Sequence, residues 1–208
     1  MDGFKLVLRL HTPVILPAVT PRLETLLREA LCRCHQDWET AHELPIRHDE
    51  ATGVPRGSQL IFGTTAAKPM QAVTTKFISK HSVEDMGMVV SPRRYVWESG
   101  PKKRKMSAYQ AYLSPYLVFY GDGDAERCVK LIQMLDGVGR ETSRGAGAFT
   151  VDRVEPDDSG GWVRRAFPPA LAPEGLPFEP VNAMEVLIHG SDPVAVVRPE
   201  RVTREVLT

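Results

Sequence analysis

The sequence predicts an α+β fold, and three observations predict it. A strand-like alternation opens the chain. Two stretches carry apolar residues at helical spacing, far apart from each other. A glycine-rich stretch, Gly137–Gly147, stands after the second of these and before another strand pattern. Periodicity of two against periodicity of 3.6 is the primary signal that separates strands from helices.

The elements follow in order. Phe4, Leu6, Leu8 and Leu10 alternate with Lys5, Val7, Arg9 and His11, which predicts a strand near 4–10 with one buried face. Pro13 and Pro17 break that pattern. Thr20-Pro21 predicts a helix start, a capping hydroxyl followed by proline at the first helical position. Leu23, Leu26, Leu27, Ala30, Leu31 and Cys34 then form one apolar stripe, predicting a helix near 21–35 with Cys34 buried and Cys32 off the stripe. After a polar stretch, residues 58–63 suit a short strand. Residues 64–108 show no strong period. Tyr109 to Tyr120 reads as a strand with Ser114-Pro115 as a local irregularity. Gly121–Asp124 is a turn and helix cap. Cys128, Leu131, Ile132 and Leu135 predict a helix near 124–135, and Phe149–Val154 a closing strand. The order β-α-β-(insertion)-β-α-β matches a ferredoxin-like (RRM-like) βαββαβ core. The expected division is a domain over 1–155, with an insertion at about 64–108, and a proline-rich extension over 156–208. That extension has room for a hairpin from Met184–His189 and Val194–Arg198 packed on the core.

Composition narrows the class. The chain has 208 residues, 42% hydrophobic and 25% charged, so a core needs no covalent staples. Cys32, Cys34 and Cys128 form no CxxC pair and no disulfide set, which suits a reducing compartment. No apolar run reaches membrane-spanning length and no signal peptide is visible, so a cytoplasmic protein without a membrane partner is expected. The formal net charge is zero, but it is segregated. Residues 1–55 carry 6 basic and 8 acidic side chains, residues 56–110 carry 10 and 3, and residues 111–208 carry 10 and 15. Local charge sets the field that a polyanion meets.

The glycine-rich stretch carries the most chemistry. Gly137, Gly139, Gly145 and Gly147 fall within eleven residues, with Arg140, Ser143 and Arg144 between them. Glycine permits positive φ and close backbone approach, and such a loop can present N–H groups to phosphates. Arginine adds a planar fork that fits phosphate oxygens. Nucleotide-binding loops of the Rossmann and P-loop kinds follow a strand and precede a helix, so this loop is a different device. A second feature is the basic insertion, with Arg93, Arg94 and Trp97, then Lys102, Lys103, Arg104 and Lys105. Its cations can neutralise phosphates, and Tyr95 or Trp97 can stack on a base.

Catalytic and metal chemistry find less support. His11, His35, His42 and His48 are acid–base candidates, but nothing in the sequence pairs them with a nucleophile or with the loop. His48-Asp49-Glu50 resembles half of a metal site, yet no set of Cys and His has ligand spacing. Asp122, Asp124, Asp157 and Asp158 read as turn carboxylates. No catalytic residue, metal or cofactor is expected.

The stretch Gly137–Phe149, with its Ser143–Gly147 ending, resembles the G-loop of the CRISPR-associated RAMP superfamily. Glu98–Lys105 leading into Tyr109–Tyr120 is similar to the Cas-five-like subunit family of type IV systems, the third Csf family. The resemblance covers roughly residues 4–155. It implies a non-catalytic RNA-binding subunit of an effector ribonucleoprotein in antiviral defence. Such a subunit caps the 5′ handle of the guide RNA (crRNA), and a basic thumb reaches toward a Cas-seven-like backbone subunit. A large-subunit-like protein is a further implied partner, and target DNA another. The resemblance assigns RNA contact to Gly137, Gly139, Arg140, Ser143, Arg144, Gly145 and Gly147. The insertion, with Arg93, Arg94, Trp97, Lys102, Lys103, Arg104 and Lys105, matches by place and character only. Ala146-Gly147-Ala148 departs from the bulkier residues common there, which leaves base stacking at the loop without an obvious donor. Two other classes stay open: a RAMP-fold endoribonuclease that processes guide RNA, and a ferredoxin-like interaction domain without nucleic acid.

Overall fold

The computed structural model describes residues 3–35, 43–78 and 106–207. In chain order its elements are β1 (Gly3–Leu10), α1 (Leu23–His35), β2 (Ile61–Thr64), β3 (Gln71–Ile78), β4 (Met106–Leu113), β5 (Tyr116–Asp122), α2 (Ala125–Ile132), β6 (Phe149–Pro156), β7 (Glu179–Glu185), β8 (Val194–Arg198) and β9 (Thr203–Val206). The fold is mixed α+β, mostly strand, with two α-helices among the described residues. None of these helices is long and apolar enough to cross a membrane.

The alternation in β1 decides the sheet. Phe4, Leu6, Leu8 and Leu10 are buried on one face, while Lys5 and Arg9 lie on the other. β1 sits between β5 and β6, antiparallel to both, with a register shift against β6 between Val7 and Leu8. β2 pairs antiparallel with β5 and parallel with β9, so the sheet order is β6-β1-β5-β2-β9. The first face packs under both helices. Leu23, Leu27, Ala30 and Leu31 of α1 join Cys128, Leu131 and Ile132 of α2 over Leu6, Leu8, Leu117 and Phe119. Truncating a fully buried side chain here, such as Leu27 or Phe119, costs about 2–5 kcal/mol. Burial pushes the Cys128 thiol up to about 12.

Several expectations need correction. α1 begins at Leu23, not at Pro21. The Thr20 hydroxyl donates to the Arg201 carbonyl (3.2 Å) instead of capping, and the Pro21 carbonyl accepts from the Leu60 N–H at 2.8 Å. Residues 20–22 thus run beside Gln59, and Thr25 supplies the cap by accepting from the Arg22 N–H at 3.1 Å. Cys34 is exposed, while Cys32 is half-buried. α2 stops at Ile132, and the Cys34 thiol lies 3.2 Å from the sulfur of Met134, past the end of that helix. Leu135 is buried although it lies past the helix end. The helix cap is as expected, with Asp124 accepting from the Arg127 N–H at 2.9 Å.

Tyr109–Tyr120 is two strands, not one. Ser114-Pro115 divides it, because proline cannot donate to a ladder. The Ser114 hydroxyl donates to the Gly63 carbonyl (2.7 Å), and the Pro115 carbonyl accepts from the Leu10 N–H (3.1 Å). Before the break, β4 pairs with β3 in its own hairpin, from Gln71↔Leu113 to Ile78↔Met106. After it, β5 enters the main sheet. The aperiodic stretch 64–108 therefore contains a regular strand, β3, whose Thr-rich sequence alternates too weakly to stand out.

The chain after β6 folds back onto the second face of the sheet. Val7, Ile61, Val118 and Tyr120 are buried there with Leu207, against Trp162. The Glu205 carboxylate fastens this layer. It accepts from the Tyr120 hydroxyl (2.8 and 2.7 Å), Lys5 Nζ (2.6 Å) and Arg164 (3.0 Å). β7 and β8 form a hairpin that begins earlier in sequence than Met184. β9 had no counterpart in the sequence reading.

Candidate nucleic-acid interface

The loop between α2 and β6 owes its shape to three glycines. At Gly137 a Cβ would lie 2.7 Å from the Ala146 carbonyl oxygen. Gly139 has φ +99°, and its Cβ would stand 2.5 Å from the Ile15 carbonyl oxygen. Gly147 has φ +65°, and a Cβ there would collide with the Val138 carbonyl. Two strands of loop backbone and the exit of β1 thus approach more closely than any side chain allows. Gly145 differs, since its φ is +84° but the space around it is open.

Hydrogen bonds fix the same arrangement. The Val138 N–H donates to Gly147 (3.0 Å), Gly147 to Pro13 (2.9 Å) and Arg140 to Ile15 (2.9 Å). Thr12 clamps the return, donating its hydroxyl to the Gly145 carbonyl (2.7 Å) and accepting from the Ala148 N–H (2.8 Å). Most loop amides are consumed internally, so the loop is a rigid mount more than a cradle of free donors. On its outward arc, Glu141, Thr142 and Ser143 keep N–H groups without an acceptor among the described residues.

Arg140, Ser143 and Arg144 project from this mount and are exposed. The two arginines rest on aromatic rings of the hairpin. Arg140 lies 5.2 Å from the centre of the Tyr109 ring, and Arg144 lies 5.8 Å from that of Phe77. The rings themselves meet edge to face at 6.0 Å. Glu141, held at φ 60°, accepts from the Tyr109 hydroxyl (3.1 Å) and pairs with Arg144 (3.1 Å). One carboxylate therefore offsets part of the positive charge. The rings hold both guanidiniums by cation–π attraction, and Arg144 gives one nitrogen to Glu141.

The sequence reading missed these supports. Thr12, Phe77, Tyr109 and Glu141 complete the site, and the aromatic surface absent from Ala146–Ala148 comes from the hairpin. Beside the loop lies a cleft of about 570 Å³, walled by Arg9, His11, Lys68, Gln71 and Tyr116. Arg9 there pairs with Asp152 (2.8 Å), and the His11 ring is 3.0 Å from the Thr150 hydroxyl.

The second anticipated cluster, with Arg93, Arg94, Trp97, Lys102, Lys103, Arg104 and Lys105, lies outside the described residues. Its two flanks are described: the pair Ile78↔Met106 follows directly on Phe77↔Ser107. The described strand ends on either side of 79–105 thus lie next to Phe77, whose ring carries Arg144.

The remaining candidates scatter. His42 is outside the described residues, and His35 ends α1. His48 is exposed, while Asp49 serves its own turn. Burial alone would raise the Asp49 carboxyl, but donation from Thr52 and Arg56 outweighs it and holds it low. Asp157 likewise closes a turn with Ser159 and Gly161. Among the described residues, no group of three His, Cys, Asp or Glu could hold a metal ion.

No protein-family model matches the chain, and no curated protein matches its sequence.

Proposed function

We propose that the protein is a non-catalytic RNA-binding subunit of a type IV CRISPR effector ribonucleoprotein, built on a ferredoxin-like core. The strand order β6-β1-β5-β2, antiparallel throughout, with α1 and α2 on one face, supports the core assignment. In this reading the loop holds phosphates of the guide RNA handle through Arg140 and Arg144, and the basic insertion extends the contact toward a Cas-seven-like subunit.

One observation carries the reading. The two loop arginines lie against Phe77 and Tyr109, on the strands that flank the basic insertion. The loop and the described flanks of that insertion, far apart in sequence, thus meet at one place. The closed second face of the sheet adds to this, because Tyr120 and its neighbours are covered and offer no stacking surface.

The test is to purify the protein from cells expressing its repeat array and sequence the RNA that comes with it. A defined 5′ repeat fragment, kept by the wild type and lost when Arg140 and Arg144 are both alanine, is the expected result. The isolated protein should leave labelled repeat RNA uncut. Absence of bound RNA favours an interaction domain, and repeat-specific cutting favours an endoribonuclease.

A further inference from the structure

A second feature lies away from the loop, behind α1. Arg165 is fully buried and donates to the carbonyls of Pro55 and Gly57 and to Glu24 (3.0 Å). Arg22 lies 2.8 Å from the same Glu24 carboxylate and donates to Glu185 at 3.2 Å. Arg198 takes the other Glu185 oxygen at 3.2 Å. Arg28 brings a fourth guanidinium. It makes no hydrogen bond or salt bridge among the described residues, and its Nε is buried without a partner. Arg22, Arg165 and Arg198 thus share the carboxylates of Glu24 and Glu185, and Arg28 bonds to neither. Charge taken out of water is costly unless it is neutralised, so the cluster is short of anions.

The shortfall opens at one place. Thr25, Arg28 and Cys32 form a single stripe along α1 and, with Arg22 just before the helix and Val186 of the β7–β8 connection, wall a groove of about 720 Å³. At its far end Arg33 is already engaged by Glu29 and Asp136, both at 2.8 Å. From Leu23 to Arg33 the helix rises about 15 Å, at ~1.5 Å per residue. That length suits roughly five residues of extended chain, at ~3.3 Å each. Val186, 45% exposed, gives the groove an apolar wall that a small inorganic anion does not use. The arginine stems add more apolar surface.

We propose that this groove is the docking site for an extended acidic segment of a partner protein. One carboxylate of that segment seats on Arg28, beside Arg22, whose own nitrogens are taken by Glu24, Glu185 and the Val186 carbonyl, and its apolar side chains lie against Val186 and the arginine stems. The site is independent of the RNA-binding reading, because none of its residues belongs to the loop or the hairpin.

The test uses the ¹⁵N-labelled full chain and three probes: a capped Leu-Glu-Leu-Glu-Leu peptide, its Leu-Gln-Leu-Gln-Leu counterpart, and inorganic phosphate. The glutamate peptide should shift amide resonances of α1 and of residues 186–191 and saturate. The glutamine peptide, and the glutamate peptide on Arg28→Gln, should bind at least about tenfold more weakly (~1.4 kcal/mol). Val186→Asp should weaken binding as much, by removing the apolar wall and facing the peptide with a like charge while Arg28 stays in place, which keeps the test valid if Arg28→Gln folds poorly. Equal binding of both peptides, unaltered binding to Val186→Asp, or no shift along α1 overturns the proposal. So does saturation by phosphate alone, which makes the groove a small-oxyanion pocket.

Discussion

Arg140 and Tyr109 form a cation–π pair, with the guanidinium carbon 5.2 Å from the ring centre. The pair joins the glycine loop to the β3–β4 hairpin, two parts of the chain with no local reason to meet. The contact keeps the guanidinium near the ring before any ligand arrives, which lowers the ordering cost of binding.

Replacing Arg140 and Arg144 together with alanine should weaken RNA binding and lower its salt slope. Each single-strand phosphate contact contributes ~0.7 to the slope of log affinity against log salt, so the slope should fall by about 1.4. Both side chains are exposed, and the circular dichroism spectrum should not change. A slope equal to that of the wild type removes the loop from the interface.

Glu141→Gln should act in the opposite direction. Glu141 pairs with Arg144 and repels phosphate, so its neutralisation should tighten RNA binding about two- to fivefold at low salt, an effect of ~0.5–1 kcal/mol. Weaker binding would show that Glu141 matters mainly for orienting Tyr109. The measurement is a fluorescence-anisotropy titration at several salt concentrations.

The glycines of the loop should separate by mechanism. Gly145→Ala meets open space and pays only for its left-handed backbone, about 1–2 kcal/mol. Gly147→Ala adds a collision with the Val138 carbonyl and should lose more, about 3 kcal/mol or above. Urea denaturation of the two variants gives the comparison. Equal losses would mean that the Val138–Gly147 approach relaxes freely.

Glu205 should make stability pH-dependent. Burial alone would raise its carboxyl, but donation by Lys5 and Tyr120 and the charge of Arg164 hold it below the ordinary glutamate range. The folded state then binds fewer protons than the unfolded chain in that range. The stabilisation is complete above the unfolded value and is lost as pH falls through the depressed folded value. Glu205→Gln should lower stability at neutral pH by about 1–3 kcal/mol. Its difference from the wild type should shrink on acidification, as followed by urea midpoints across pH. A difference that stays constant with pH assigns the effect to packing.

Periodic segments were legible in the sequence. β1, α1, α2 and β6 lie within a few residues of their expected places, because each buries one apolar face and that face imposes its spacing. What failed was non-local. Thr20 has an ideal capping hydroxyl, but Arg201 and Leu60 take its neighbourhood for strand contacts. β9 is four residues long and exists because Ile61–Thr64 offers it an edge. At the site, the glycines and arginines announced the loop. Phe77 and Tyr109 did not announce their part, since only the hairpin register brings them under Arg144 and Arg140.

The lock of Glu205 on Lys5 joins residues 200 positions apart. On the ribosome this sets a schedule. At ~5–20 residues per second, roughly 10–40 s pass between the synthesis of Lys5 and that of its partner. Through that interval Val7, Ile61 and Val118 lack the Leu207 cover, and a nascent sheet shows one sticky side. A holding chaperone, or early assembly with a neighbour, has its widest opportunity before that strand emerges.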